Sequence, residues 1–422
     1  MKIRFLIANA YGVGGTIKAT YNLAGELAKR HDVEIVSVQK HRDSPAFGVP
    51  QGVRLRALVD RSPRAKRADE TRAGALPRAK GKLKAWARER PSRVVHPGDF
   101  RYKNFNLFTD LRLVQFLRSL DDEIVIGTRA GLNLAVARFA RPSAIRVGQE
   151  HLNMTKYGQE IQAAFRRYYP RLDVYSALTQ GDADAFSELL GPDARVVCIP
   201  NGVPDVGGAR SSTEGNVAIA AGRLTPQKGF DRLLPAWVEV ARKHPDWELR
   251  IFGGGKLRRR LERRIEELGI GDTARLMGYT DELPQEMAKA AFYVMSSRFE
   301  GFPMVLLEAM RCGLPIVSFD CPNGPRDLIS HGQDGFLVPD GDVDALAAAM
   351  IEMIELGDAR RSFGDAALEK AKQYEMPAIS RRWEQLLEEI LEERRRSRAL
   401  TRAPAARSST GGSARRGAPR GP

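Results

Sequence analysis

Two carboxylates, Glu300 and Glu308, bracket seven residues in the run SRFEGFPMVLLEAMRCGLPIVSFD, Ser297 to Asp320. Glu300 closes a loop after an apolar strand, Pro303 suits the first turn of a helix, and Glu308 lies about one and a half turns into it. Both acids then reach one cleft. Between them, the stretch Gly301, Phe302, Pro303, Met304 and Val305 presents the unpaired backbone donors of a helix N-terminus, an anion site that repels nearby carboxylates unless those face hydroxyls. A sugar nucleotide carries both kinds of group, phosphate for the amides and hydroxyls for the acids. Upstream, GRLTPQKGFDRLL (Gly222 to Leu234) places Arg223 and Lys228 after another apolar strand. Cations fixed in a dry cleft stabilise negative charge that grows in a transition state without reorganising.

With these runs in place, the sequence resembles the family 4 glycosyltransferases of the GT-B class, whose second domain carries two glutamates separated by seven residues. The continuation AMRCGLPIV is similar to that of the family, as are IPNGVP (Ile199 to Pro204), FGGG (Phe252 to Gly255), GYTDELP (Gly278 to Pro284) and GPRDLISHGQDGFLV (Gly324 to Val338). The resemblance implies that Glu300 binds hydroxyls of the transferred sugar, Glu308 the nucleotide ribose, and Arg223 and Lys228 the donor diphosphate. It assigns Gly14 and Gly15 to a glycine loop where bare backbone approaches the diphosphate and acceptor. His151, in VGQEHLN, stands at a strand end where the family often has a histidine touching the sugar or acceptor; Glu150 beside it is the alternative contact. The reaction implied is retaining transfer of a hexose from a nucleoside diphosphate sugar, UDP-sugar favoured, to a hydroxyl acceptor that is lipid-linked or polymeric. No cofactor and no metal are expected, because the arginine and lysine already supply the counter-charge and no D-x-D motif of a metal-dependent transferase stands out.

The elements that must position these residues follow from hydrophobic pattern. Ile3 to Ala8 is a short apolar run, Gly12, Gly14 and Gly15 break it, Leu23, Leu27 and Ala28 mark one helix face, and VEIVSV resumes at Val33: a βαβ unit. A dinucleotide fingerprint is the rival reading of these glycines, but Ile17 stands where a third small residue is required. Further apolar runs at EIVIG, AIRVG, VYSAL and RVVCIP, then at NVAIAAG, WELRIFGGG, ARLMGY, AFYVMSS, PIVSFD and GFLVP, read as buried parallel strands. The expected fold is α/β: two Rossmann-like, doubly wound domains facing a cleft. Residues 1–204 form the acceptor-side domain with a basic insert at 61–103, 205–215 the linker, and 216–376 the nucleotide-sugar domain. A helix at 377–393, with Trp383, Leu386, Leu387, Ile390 and Leu391 on one side, crosses back to the first domain, and 394–422 is a disordered basic tail.

At 422 residues the chain has ample length for two cores. Three cysteines are too few for a disulfide framework and point to a reducing compartment. The longest charge-free stretch, thirteen residues from Phe5 to Ile17, is too short to cross a bilayer, so the chain is expected in the cytoplasm. The net charge of +15 is local: residues 61–103 hold fourteen Lys and Arg against four acids, and the segment from Arg394 onward holds nine Arg and no acid. Everything else is slightly acidic. The basic segments are expected to hold the protein on an anionic membrane surface, with Leu83, Trp86 and Ala87 on a basic amphipathic helix between Lys80 and Arg93. The alternative is a non-enzymatic nucleic-acid-binding protein; against it, neither segment interleaves aromatics in an RNA-reading pattern and the domain core is acidic, so no specific nucleic acid is expected.

Overall fold

The apolar runs pair into two separate sheets, parallel throughout. The computed structural model describes residues 1–65, 67 and 78–402. In the first sheet β1 (Lys2–Ile7), β2 (Asp32–Lys40), β3 (Val53–Asp60), β4 (Ile124–Gly127), β5 (Ile145–Gln149), β6 (Val174–Ala177) and β7 (Val196–Cys198) lie in the order β3-β2-β1-β4-β5-β6-β7. The second contains β8 (Val217–Ala221), β9 (Glu248–Phe252), β10 (Ala274–Gly278), β11 (Phe292–Met295), β12 (Ile316–Asp320) and β13 (Gly335–Pro339), ordered β10-β9-β8-β11-β12-β13. Each sheet is covered on both faces by helices, so its central strands are apolar on both sides; all four residues of β4 and of β11 are buried.

Strand order reverses once in each sheet, between β1 and β4 and between β8 and β11. At such a switch point the flanking loops diverge and leave a crevice beyond the carboxyl ends of the strands. The loops there are Gly12–Gly15 after β1, Gly222–Lys228 after β8 and Ser296–Pro303 after β11. The sequence-derived site residues therefore sit at the openings that the two topologies create.

The chain passes between the domains twice, and the two passages lie side by side. Val203 N donates to Tyr374 O, and Met376 N donates to Val203 O. Gly202 fits closely here: a Cβ would come within 2.8 Å of Met376 Cε and 3.1 Å of Met376 Cα. Residues 205–215, expected as linker, are tied to the second domain, with Ser211 N on Cys312 O and Ser211 Oγ on Ala290 O.

The last helix, Met376–Arg402, returns to the first domain as expected. Ile379, Trp383, Leu386, Leu387 and Ile390 join Ile3, Phe5, Ile7, Leu23 and Leu27 in one core. Its end is a correction: the helix runs through 394–402, where a disordered tail was expected. Arg394 donates to the carbonyls of Pro142 and Ser143 and to Asp173 Oδ1, and Arg398 reaches Asp122, so the arginines dock on acids of the first domain. Beyond Arg402 the tail lies outside the described residues.

The basic insert also needs correction. Only its early part, containing Lys66 and residues 68–77, lies outside the described residues. A helix, Arg78–Glu89, follows, and the last third belongs to the domain itself: Val94, Val95 and Asp99 are buried, and Asp99 pairs with Arg129 at 2.7 Å. β3 is absent from the sequence-based strands because its alternation of apolar residues with Arg54 and Arg56 reads as a solvated edge.

Candidate functional site

The carboxyl edges of the two sheets face each other and touch at named points. Gly301 packs against His151: a Cβ there would lie 2.4 Å from the His151 carbonyl oxygen. Lys156 Nζ sits 3.8 Å from the centre of the Phe299 ring, and Asn323 Nδ2 donates to Asp182 Oδ2 at 2.8 Å. Lys18 Nζ meets Glu308 Oε1 at 2.5 Å. Each contact joins a first-domain residue to the second domain.

Glu300 is almost fully buried, deeper than a solvent-facing cleft residue. Lys228 Nζ (2.7 Å) and the buried Ser297 hydroxyl (2.6 Å) both donate to its Oε1. Oε2 makes no hydrogen bond among the described residues, which leaves it to accept from a hydroxyl. Lys228 is positioned by the turn Pro226–Lys228, whose C-cap Gly229 has φ +63°; a Cβ there would stand 2.0 Å from Ser296 O, so glycine is obligatory. Arg223, two residues past the end of β8, is exposed, and its guanidinium has no hydrogen-bonded partner among the described residues. Phe302 and Pro303 complete the loop, Pro303 acting as the N-cap and not the first helical residue. The helix Met304–Arg311 opens toward this pair; its first amide bonds run from Leu306 and Leu307 to Pro303 O, ahead of which lie the amides of Met304 and Val305.

Across from this group, Gly14 and Gly15 leave open space, since a Cβ at either position would have nothing within 4 Å. Gly14 O accepts from Lys18 N, starting the helix Gly15–Ala28 that carries Lys18 to Glu308. Sequence reasoning missed Lys18. The signal was available: a cation in the first helical turn opposes the helix dipole unless an acid from elsewhere compensates it.

His151 and Glu150 follow β5. Glu150 Oε1 accepts from the amides of His151 and Leu152, while Glu150 Oε2 and His151 Nε2 are buried without a hydrogen-bond partner among the described residues. Burial pushes the Glu150 carboxyl up to about 8, and burial, then Arg129, holds the His151 imidazole down at about 4. At neutral pH the pair is a protonated acid beside a neutral imidazole.

That pair sets the pH dependence of stability. From about pH 4.5 to 8 the folded state keeps the Glu150 proton that the unfolded chain releases, so stability falls as pH rises. From about pH 4 to 6.5 the unfolded chain protonates its histidine while folded His151 stays neutral, so stability rises with pH. The two slopes offset up to pH 6.5, above which that of Glu150 acts alone at up to about 1.4 kcal/mol per pH unit. Glu150→Gln is therefore expected to flatten the decline between pH 6.5 and 8 in urea titrations; an unchanged slope would rule the assignment out.

The Gly301 contact makes a second prediction. Because the obstructing atom is backbone, Gly301→Ala must push the domains apart at this point, and a displacement near 1 Å can lower turnover about 100-fold. Wild-type kcat in this variant would show that the approach of Gly301 to His151 is not used in turnover.

Two all-parallel domains that share the order 3-2-1-4-5-6, the first with a seventh strand at its edge, meet edge to edge over this cation and carboxylate set in the architecture of the GT-B class. Family models agree: that described as Glycosyltransferase Family 4 matches residues 13–205, and that described as Glycosyl transferases group 1 matches residues 208–370. The chain belongs to the family 4 glycosyltransferases. It is 34% identical to an exopolysaccharide phosphotransferase of Streptomyces coelicolor over 93% of this chain, and it spans 41% of that relative's length. An uncharacterized glycosyltransferase of Haemophilus influenzae is 24% identical over 92% of this chain and 99% of its own. A mutant of Staphylococcus aureus TarM, solved with fondaparinux, alpha-GlcNAc-glycerol and UDP, superposes with a TM-score of 0.71 at 15% identity, covering 92% of this chain and 99% of TarM. Family membership displaces the nucleic-acid-binding alternative. No described helix is long and apolar enough to cross a membrane.

Proposed function

We propose that the protein is a retaining hexosyltransferase that moves a sugar from a nucleoside diphosphate sugar to a hydroxyl acceptor. The product belongs to a cell-envelope polysaccharide, a teichoic-acid-like polymer or a glycolipid. The observation that carries this reading is the Lys228–Glu300–Ser297 cluster facing His151 and the open backbone of Gly14 and Gly15. Arg223 and Lys228 bind the diphosphate and take up its growing charge without a metal ion. Glu300 Oε2 holds a sugar hydroxyl, Glu308 exchanges Lys18 for the ribose hydroxyls, and His151 Nε2 meets the sugar or acceptor. Loss of an unpaired buried nitrogen on substrate binding favours the complex.

In this mechanism the acceptor oxygen attacks on the face from which the diphosphate leaves, and a phosphate oxygen takes its proton. The protein contributes positioning and electrostatics, and Glu300 acts as a sugar-positioning group with no covalent role. UDP-sugars are favoured, in keeping with the UDP bound to TarM. A thermal-stability screen with UDP, GDP and ADP sugars tests the donor assignment: a site ligand at 100 times its Kd adds about 2.7 kcal/mol. No response to any of them would overturn it.

The exposed Leu83 and Trp86 on the basic helix Arg78–Glu89 support peripheral binding to an anionic membrane, where a lipid-linked acceptor is presented. Flotation with anionic and neutral vesicles tests this; equal recovery with both would exclude it.

A further inference from the structure

A second cationic feature stands in the first domain, away from the donor cluster. At the carboxyl ends of β2 and β3 a cavity of about 680 Å³ is lined by Arg61, Arg88, Arg90 and Lys103, with Asp60 and Glu89 as its acids. Asp60 is already engaged, by Lys40 Nζ at 2.9 Å and by the Ser62 amide at 2.9 Å. Arg61 continues the strand ladder, its amide donating to Lys40 O, but its half-buried guanidinium has no hydrogen bond or ion pair among the described residues. Its charge is disfavoured by burial and by the neighbouring Arg88, both of which lower its pKa. The walls are fixed independently: Asn106 Nδ2 donates to Arg88 O, Gln39 Nε2 to Asn104 O, and Tyr102 Oη to Ser92 O.

Adjacent guanidiniums half withdrawn from water repel each other, and an anion that both can fork onto relieves that repulsion. The cavity also opens at the same sheet edge as the glycine loop. Lys40 Nζ lies 5.5 Å from the centre of the Tyr11 ring, which links the end of β2 to the loop that ends in Gly14 and Gly15. A ligand held at Arg61 can therefore extend along the edge toward the cleft. A concave, walled space two strands from the glycine loop fits one discrete charged group better than a flat lipid surface.

We propose that this cavity is an acceptor subsite for phosphate: the acceptor carries a phosphate ester that Arg61 grips, with Arg88, Arg90 and Lys103 around it, while a hydroxyl elsewhere on the acceptor reaches the transfer cleft. This rests on the transferase reading and names the class of its acceptor.

The test is calorimetric titration of the full-length protein with a synthetic glycerol phosphate hexamer and with a neutral polyol of the same length. The hexamer is expected to bind, the polyol not, and Arg61→Gln to weaken the hexamer about tenfold or more through loss of a charge-assisted contact. Arg61→Lys should recover only part, since an ammonium lacks the planar fork. Should Arg61→Gln fold poorly, the exposed pair Arg90→Gln with Lys103→Gln is expected to weaken binding in the same direction. Equal binding of hexamer and polyol, or an affinity indifferent to all these variants, would overturn the proposal. So would Arg61-dependent binding to anionic vesicles with none to the hexamer. UDP titration in parallel separates the two readings: wild type that binds the hexamer but not UDP or any nucleotide sugar sinks the donor assignment alone.

Discussion

Arg223→Ala is expected to lower kcat by about 100- to 1000-fold while leaving the melting curve unchanged. Arg223 is exposed and unpaired among the described residues, so its removal uncovers no buried charge; what disappears is a cation that strengthens its grip as the diphosphate departs, worth about 2.7–4 kcal/mol. Lys228 and Glu300 make a less clean comparison. They are paired at 2.7 Å in a site nearly closed to water, so removing either alone strands the other and destabilises the fold as well as the transition state. The informative companion is Lys228→Met with Glu300→Gln, which removes both charges and keeps much of the volume. Glu308→Ala should differ from all of these: if the ribose is gripped equally before and during reaction, donor KM rises and kcat holds. Steady-state kinetics with the cognate nucleotide sugar, beside denaturation curves, decide the matter. Near-wild-type turnover by Arg223→Ala would remove the diphosphate assignment.

Trp383→Ala is expected to destabilise the protein by about 3–5 kcal/mol, as large-to-small changes at fully buried aromatics do. Trp383 is wholly buried between the last helix and the first sheet. Glu384, next in sequence, pairs with Arg30 and His31 across the same interface, but Arg30 is about half exposed and such pairs contribute about 0–1 kcal/mol. Glu384→Gln should therefore move the urea midpoint far less than Trp383→Ala. The reverse ranking would mean that charge, not apolar burial, holds the helix on the first domain.

Much of this arrangement is legible in the sequence because buried parallel strands are short continuous apolar runs and the loops after them carry the candidate site. Glu300, Arg223, Lys228 and the glycine loop are found that way, each next to the end of a strand. What escapes are the features made by distance along the chain. Lys18 and Glu308 are 290 positions apart, and nothing local marks them as partners. The arginines at 394–398 look like a solvated tail until Asp173 and Asp122 are brought beside them. β3 escapes for a different reason: Arg54 pairs with Asp32, and Arg56 with Glu34, on the neighbouring strand. Its charges are satisfied across the sheet edge, so an alternation that reads as solvent-facing becomes a paired strand.

The returning helix also bears on how the protein is made. Its residues belong to the far end of the chain, yet they complete the core around Ile3 and Phe5. During synthesis the first domain leaves the ribosome with that apolar face uncovered and waits for roughly 180 further residues. At about 5–20 residues per second that is on the order of 10–40 s. Over that interval the first half is an incomplete body with a sticky surface. A chaperone that shields apolar faces should raise the yield of active enzyme most when translation is slow, and a fragment ending near residue 205 should aggregate where the whole chain does not.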